Sequence, residues 1–119
     1  QAMSDFRPSK VEHDLIWKEF SEQNNVFSFI ATLEDKVVGY GSLLIETKIR
    51  GGKWGHVEDI VSHKNYRNLG IGKSIVDFLF SFAKDKGCYK VSLQCSNEHI
   101  SFYKKCGYNL KGVSMEQFI

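Results

Sequence analysis

Residues 66–74 read YRNLGIGKS, and residues 75–87 continue as IVDFLFSFAKDKG. The junction of these two stretches decides the fold. In the second, Ile75, Val76, Leu79, Phe80, Phe82 and Ala83 give the broad apolar face of an amphipathic helix, and Gly87 stands where a helix-ending glycine belongs. In the first, Arg67, Gly70, Gly72 and Lys73 crowd the mouth of that helix. A helix start leaves about four backbone N–H groups without internal partners and carries roughly half a positive charge. Glycine lets the backbone approach a ligand closely. Together these features make a pocket suited to phosphate or pyrophosphate. The plainer alternative is a helix entry with turn glycines and solubilising charges, because a G-x-G match alone is weak.

The flanking sequence supports the pocket. Residues 55–62 (GHVEDIVS) read as a strand that delivers its C-terminal end to this loop. Before it, residues 26–34 (VFSFIATLE) and 37–48 (VVGYGSLLIETK) read as an antiparallel hairpin, and Gly39 and Gly41 imply a bulge or a close backbone approach. Residues 49–54 (IRGGKW) form a Gly-rich loop. Residues 9–23 place Val11, Leu15, Ile16 and Phe20 at helical spacing, with Trp17 beside them. After the central helix, residues 88–95 alternate, with Tyr89, Val91, Leu93 and Cys95 on one face and Lys90, Ser92 and Gln94 on the other. Asn97 is the expected N-cap of a short helix through Lys105. Residues 108–118 (YNLKGVSMEQF) read as a final strand. The order predicts a mixed α/β (α+β) sheet with helices on its faces. In such sheets ligands sit at the carboxyl ends of strands beside helix N-termini, which is where YRNLGIGKS falls.

Composition narrows the function classes. A chain of 119 residues makes one domain, read as residues 3–119 because Gln1 and Ala2 before Met3 resemble a cloning remnant. Nine Phe and 42% hydrophobic residues suffice for a core, and the single proline argues against disorder. The net charge of +2 (16 − 14), with scattered basic residues, gives no support to nucleic-acid binding. There is no signal peptide and no apolar run near the length of a membrane span. Cys88, Cys95 and Cys106 cannot all pair and lack metal-ligand spacing. They read as reduced thiols of an intracellular, cytoplasmic protein without a metal.

The joint pattern resembles the GNAT acyltransferases. The family's [QR]-x-x-G-x-[GA] is met by Arg67, Gly70 and Gly72, and its late F-Y-x-x-x-G-[FY] by Phe102, Tyr103, Gly107 and Tyr108, with a helix and a strand between them. The likeness covers roughly residues 26–118. More narrowly, GHVEDIV (55–61), GCYK (87–90), FYKKCGY (102–108) and GVSM (112–115) look like the eukaryotic branch of that family that acetylates glucosamine 6-phosphate. The resemblance implies a GNAT fold, acetyl-CoA as co-substrate, direct transfer to the sugar 2-amine within a ternary complex, and a homodimer.

It also implies roles. The pyrophosphate of acetyl-CoA would lie over the backbone N–H groups of Asn68, Leu69, Gly70, Ile71, Gly72 and Lys73, with Arg67 and Lys73 nearby. The backbone of Ile60, Val61 and Ser62 would hold the pantetheine arm as an added strand does, and His99, Phe102 and Tyr103 would complete the set. Glu58 and Asp59 would bind or orient the amine. Consecutive strand residues point to opposite faces, so both can serve one pocket only if a bulge or splay intervenes. A sugar amine near the α-amino reference of about 7.7–8 has a useful neutral fraction at neutral pH, so no strong base is required. Tyr103 would serve the leaving thiolate. Its reference pKa of about 10 exceeds a thiol's 8.5 or so, which makes it a hydrogen-bond donor at least as readily as an acid. Lys48 and Arg50 are candidates for the sugar phosphate, and Gln94 for the sugar; Leu79 and Phe80 align near the sugar site, but core packing explains them equally well.

Three departures bear on the acceptor. The chain is short before its first helix, where the family has another strand. Gln94 stands where the family has an acid, and Phe118 stands near an expected arginine. The alternatives are a GNAT enzyme acting on another small amine or a peptide lysine, and a non-catalytic acetyl-CoA-binding module.

Overall fold

In the computed structural model, which describes residues 12–119 (the side chains of Arg67 and Asn68 excepted), the elements run α1 (His13–Ser21), β1 (Val26–Leu33), β2 (Lys36–Thr47), β3 (Lys53–Ser62), α2 (Ile71–Asp85), β4 (Cys88–Ser92) and α3 (Ile100–Lys105). Short 3-10 turns at Lys64–Leu69 and Asn97–His99 precede α2 and α3. The sheet order is β1-β2-β3-β4. The first three strands are antiparallel neighbours, and β3 pairs in parallel with β4 across the α2 crossover. The mixed sheet with helices is thus the one expected.

The hairpin closes between Leu33 and Lys36 through Glu34 and Asp35, both with positive φ (50° and 66°), the sign a tight two-residue turn needs to match strand twist. Its glycines permit close packing. A Cβ on Gly39 would stand 2.6 Å from Ile75 Cδ1, and one on Gly41 2.5 Å from Ile75 Cγ2, so α2 lies almost on the backbone of β2. Ile75, Val76, Leu79 and Ala83 of α2 are buried with Leu43, Ile45, Val57 and Ile60 of the sheet. Full burial of a side chain such as Leu79 contributes about 1.5–3 kcal/mol. At the β1 edge, Phe27 and Phe29 meet Phe78 and Phe82 at centroid distances of 4.9–5.1 Å.

Several local expectations are corrected. Residues 108–119 form no strand. Among the described residues none of them joins the sheet, and a strand without a ladder partner leaves its backbone groups unmatched. Tyr89 is exposed rather than on the core face, because the register shifts between Lys53 and Trp54 and turns Cys88 inward. Ser96, not Asn97, holds the N-cap position of the 3-10 turn before α3, and its side chain makes no capping bond to the backbone. Residues 9–11 of the first predicted helix, and its Val11, lie outside the described residues; in α1 itself no residue is buried, so its apolar stripe is not packed on the sheet. The main core cluster therefore sits on the α2 face, while Val38 and Ser42 are buried outside it.

Candidate active site

The β3–β4 pairing runs only from Lys53↔Cys88 to His56↔Ser92, while β3 continues to Ser62. Past that rung β4 has ended, and among the described residues the edge of β3 over residues 57–62 has no strand beside it on that side. The last rung is pinned by side chains. Trp54 Nε1–H donates to Ser92 Oγ at 2.9 Å, and the Ser92 hydroxyl lies 3.4 Å from His56 Nδ1. His56 Nε2–H donates to Glu46 Oε1 at 3.0 Å, which leaves Nδ1 to accept from Ser92. Trp54 stacks on His56, and the ammonium groups of Lys48 and Lys90 lie 4.4 and 3.8 Å from the Trp54 ring centroid. The Glu46 carboxyl is held below its ordinary value, first by its hydrogen bond with His56 and then by Lys48.

Above the rung, β3 bulges. Ser42 faces Glu58 and Tyr40 faces Val61, so Asp59 and Ile60 together oppose Gly41 alone. Asp59 takes φ of 51°, a left-handed conformation that Asp tolerates better than most residues. Val57 and Ile60 are both buried toward α2, so the extra residue turns Glu58 and Asp59 together out of the core. A bulge thus lies where the sequence called for one, and both carboxylates are exposed beside it. Partial burial, and then the Asp59 carboxylate, push the Glu58 carboxyl up from its usual value, while His56 pulls the other way. The Ser42 hydroxyl, 3% exposed, donates to the Glu58 carbonyl at 3.3 Å.

From Ser62 the chain enters the predicted loop. The His63 ring caps the 3-10 turn by accepting from Asn65 N at 3.1 Å, and Gly70, in the left-handed region at φ 73°, hands the chain to α2. A Cβ at Gly70 would touch nothing, so the need there is conformational. The N–H groups of Ile71, Gly72 and Lys73 are first-turn donors, with no carbonyl four residues back inside α2. The Phe102 ring lies 3.4 Å from where a Cβ on Gly72 would stand, so α3 reaches the loop. Beside Phe102, Tyr103 is buried in the core cluster, and burial pushes its phenol up to about 12, with Cys95 and then Cys106 adding to the effect. Burial likewise raises Tyr108 to about 12, and its hydroxyl is buried without a hydrogen-bond partner among the described residues.

Other predicted residues fall elsewhere. Lys73 Nζ lies 2.6 Å from Asp77 Oδ2, an exposed pair one turn apart, so part of its charge is already matched. Lys48 is bound to Glu46 at 3.1 Å and sits with Arg50 in the turn before β3, at the end of that strand away from the glycine loop. Leu79 has no exposed surface, so core packing accounts for it; Phe80 is half exposed on α2. Gln94 donates to Ser114 Oγ at 2.6 Å. His99 is bonded to Ser96 Oγ at 2.8 Å. The side chains of Arg67 and Asn68 lie outside the description. Ser42, His56 and Ser92 gather at the bulge and the rung without having been singled out. For His56 a signal existed, since it stands two residues from Glu58 and so shares its face of the strand.

A strand that parts from its parallel neighbour, bulges, and then feeds a glycine turn at a helix start is the arrangement of a chain that belongs to the GNAT acetyltransferase family. The profile of that family, "Acetyltransferase (GNAT) family", matches residues 2–108. The glucosamine 6-phosphate N-acetyltransferase 1 of Dictyostelium discoideum is 36% identical over 108 residues, covering 87% of this chain and 69% of that protein. The glucosamine 6-phosphate N-acetyltransferase of Arabidopsis thaliana is 42% identical over 85 residues, covering 70% of this chain and 57% of that one. The chain thus spans between half and about two thirds of the length of several curated relatives it matches. The crystal structure of the Arabidopsis enzyme superposes with a TM-score of 0.80 at 36% identity, over 92% of this chain and 78% of that one.

Proposed function

We propose that this chain transfers the acetyl group of acetyl-CoA to the 2-amine of glucosamine 6-phosphate, giving N-acetylglucosamine 6-phosphate and CoA, a step toward UDP-N-acetylglucosamine. The observation that carries this reading is the bulge that turns Glu58 and Asp59 together out of the core, one rung above the parting of β3 and β4. The relatives' shared acceptor supports the choice of sugar.

The residues present fit acetyl-CoA. Gly70 supplies an open left-handed turn, the first turn of α2 supplies N–H groups for a pyrophosphate, and the unpaired edge of residues 57–62 accommodates a pantetheine arm in strand-like fashion. When bound, acetyl-CoA supplies an activated thioester. Asp59 and Glu58 orient the acceptor amine and take up its proton as the bond to carbon forms. Backbone N–H groups at the bulge would be the donors for the carbonyl oxygen on which charge develops. Tyr103, with its phenol near 12, keeps its proton and acts by donating a hydrogen bond to the departing sulfur; a thiol's usual 8.5 or so lies too far below for full transfer to be favoured.

Lys48 and Arg50 are the proposed contacts of the sugar phosphate. The chain acts as a homodimer in this reading, supported by the exposed Leu110, Val113, Met115 and Phe118 of the C-terminal segment, an apolar surface suited to a partner. Three free thiols favour the cytoplasm, and among the described residues no helix is long and apolar enough to cross a membrane. Thiol release from acetyl-CoA tests the proposal, with glucosamine 6-phosphate against glucosamine, glucose 6-phosphate and a lysine peptide. Turnover with glucosamine 6-phosphate alone supports it; turnover with the peptide instead removes the sugar acceptor and keeps the family.

A further inference from the structure

Ser42 is a buried polar side chain, 3% exposed in a strand whose neighbours Gly41, Leu43 and Ile45 pack against α2. A buried hydroxyl is costly unless it is bonded. Its partner here is the backbone carbonyl of Glu58, at 3.3 Å across to β3. That carbonyl sits where the β2–β3 register shifts and the regular ladder is interrupted. The next residue, Asp59, is held at φ 51°, a conformation that persists only where its surroundings over-determine it. An interrupted ladder, a buried hydroxyl bonded to it and a left-handed Asp thus occur within one residue of each other.

We propose that Ser42 is a positioning residue for acyl transfer: by bonding the Glu58 carbonyl it fixes the bulge, and with it the aim of the Glu58 and Asp59 carboxylates and of the backbone N–H groups beside them. Ser42 does not reach the gap itself. Its contribution to the rate passes through the backbone of β3. The inference rests on the acetyl-transfer reading for its catalytic half and on the geometry of the bulge for its structural half.

The experiment separates the two. Ser42→Ala, Ser42→Thr and Ser28→Ala are compared with the native chain by thiol release and by amide hydrogen exchange. Ser28 is the control, since it is the cross-strand neighbour of Ser42 on β1 but its hydroxyl bonds the Tyr40 hydroxyl at 3.0 Å rather than the backbone of β3. Loss of one intramolecular hydrogen bond corresponds to about a three- to tenfold change in a local opening equilibrium. Ser42→Ala should therefore speed exchange at residues 58–60 by about that factor, leaving residues 53–56 unchanged. It should lower kcat at least fivefold, with the KM for acetyl-CoA within twofold. Ser42→Thr, which keeps the hydroxyl, should recover both to within threefold, and Ser28→Ala should change neither. Unchanged exchange at residues 58–60, a uniform rise across the sheet, or a Ser42→Ala kcat within twofold of native overturns the assignment. If the native chain turns over none of the acceptors, the acetyl-transfer reading fails, and the exchange pattern alone decides whether Ser42 fixes the bulge.

Discussion

The two halves of β3 are built differently. From Lys53 to His56 the strand is paired on both sides, and Trp54, His56 and Ser92 tie its last rung to β4. From residue 57 onward it has one neighbour, a bulge, a left-handed Asp and two carboxylates turned out of the core. The first half is satisfied internally and the second is left with capacity to spare. In the proposed reading, one continuous strand anchors the site with one end and forms it with the other.

If that division holds, substitutions in the upper half should affect rate and those in the lower half stability. The largest effect is expected from Asp59→Asn, which keeps a side chain tolerant of positive φ and removes only the charge. Its kcat/KM for glucosamine 6-phosphate should fall by about a hundredfold or more, the range of positioned acid–base groups, while Tm stays near native. A large drop in Tm would mean that the carboxylate is structural and the division wrong. Next comes Tyr103→Phe, with kcat reduced about tenfold, consistent with one hydrogen bond worth about 1.4 kcal/mol in the transition state. Because the phenol sits near 12, the native rate should show no fall from this group as pH rises to about 10.

In the lower half, Ser92→Ala deprives Trp54 Nε1–H and His56 Nδ1 of their partner. Denaturant titration should register a loss of about 1 kcal/mol, with kcat within about threefold of native. A collapse of kcat at native stability would move the boundary between the halves below the rung. The smallest effect concerns pH. The raised Glu58 pKa means that the folded chain holds this proton more tightly than the unfolded one. Stability from this group is therefore present below the ordinary carboxylate value and is lost as pH climbs through the raised one. Glu58→Gln should make Tm flatter with pH across that window and slightly higher at about pH 7; an unchanged pH profile of Tm would show that the carboxyl titrates normally.

Much of this was legible in the sequence, for reasons that differ from place to place. The helix at 71–85 declares itself by its own periodicity, and Gly39 and Gly41 announce a close approach because no other residue fits under Ile75. The glycine loop is local too, so its position at the helix start could be read directly. What escaped depends on partners distant in the chain. The parting of the strands requires knowing where residue 92 meets residue 56, a parallel pairing that no local pattern encodes. The role of Ser42 follows from a carbonyl sixteen residues away. Residues 108–118 alternate well enough to read as a strand, yet a strand exists only where a neighbour completes its ladder, and among the described residues they join no sheet. Tyr89 was misplaced by one irregular rung, since a single-residue shift exchanges the faces of a strand.

The Trp54 indole has a consequence of a spectroscopic kind. The chain has two tryptophans; Trp17 is 66% exposed on α1, whereas Trp54 is part-buried, with its N–H bonded to Ser92 and two ammonium groups against its ring. With Trp17 replaced by Phe, the remaining emission comes from a fluorophore one rung below the gap, in an environment set by fixed charges. Any change that draws Lys48 or Lys90 away from the ring would alter that emission, so the indole reports on the charges packed against it.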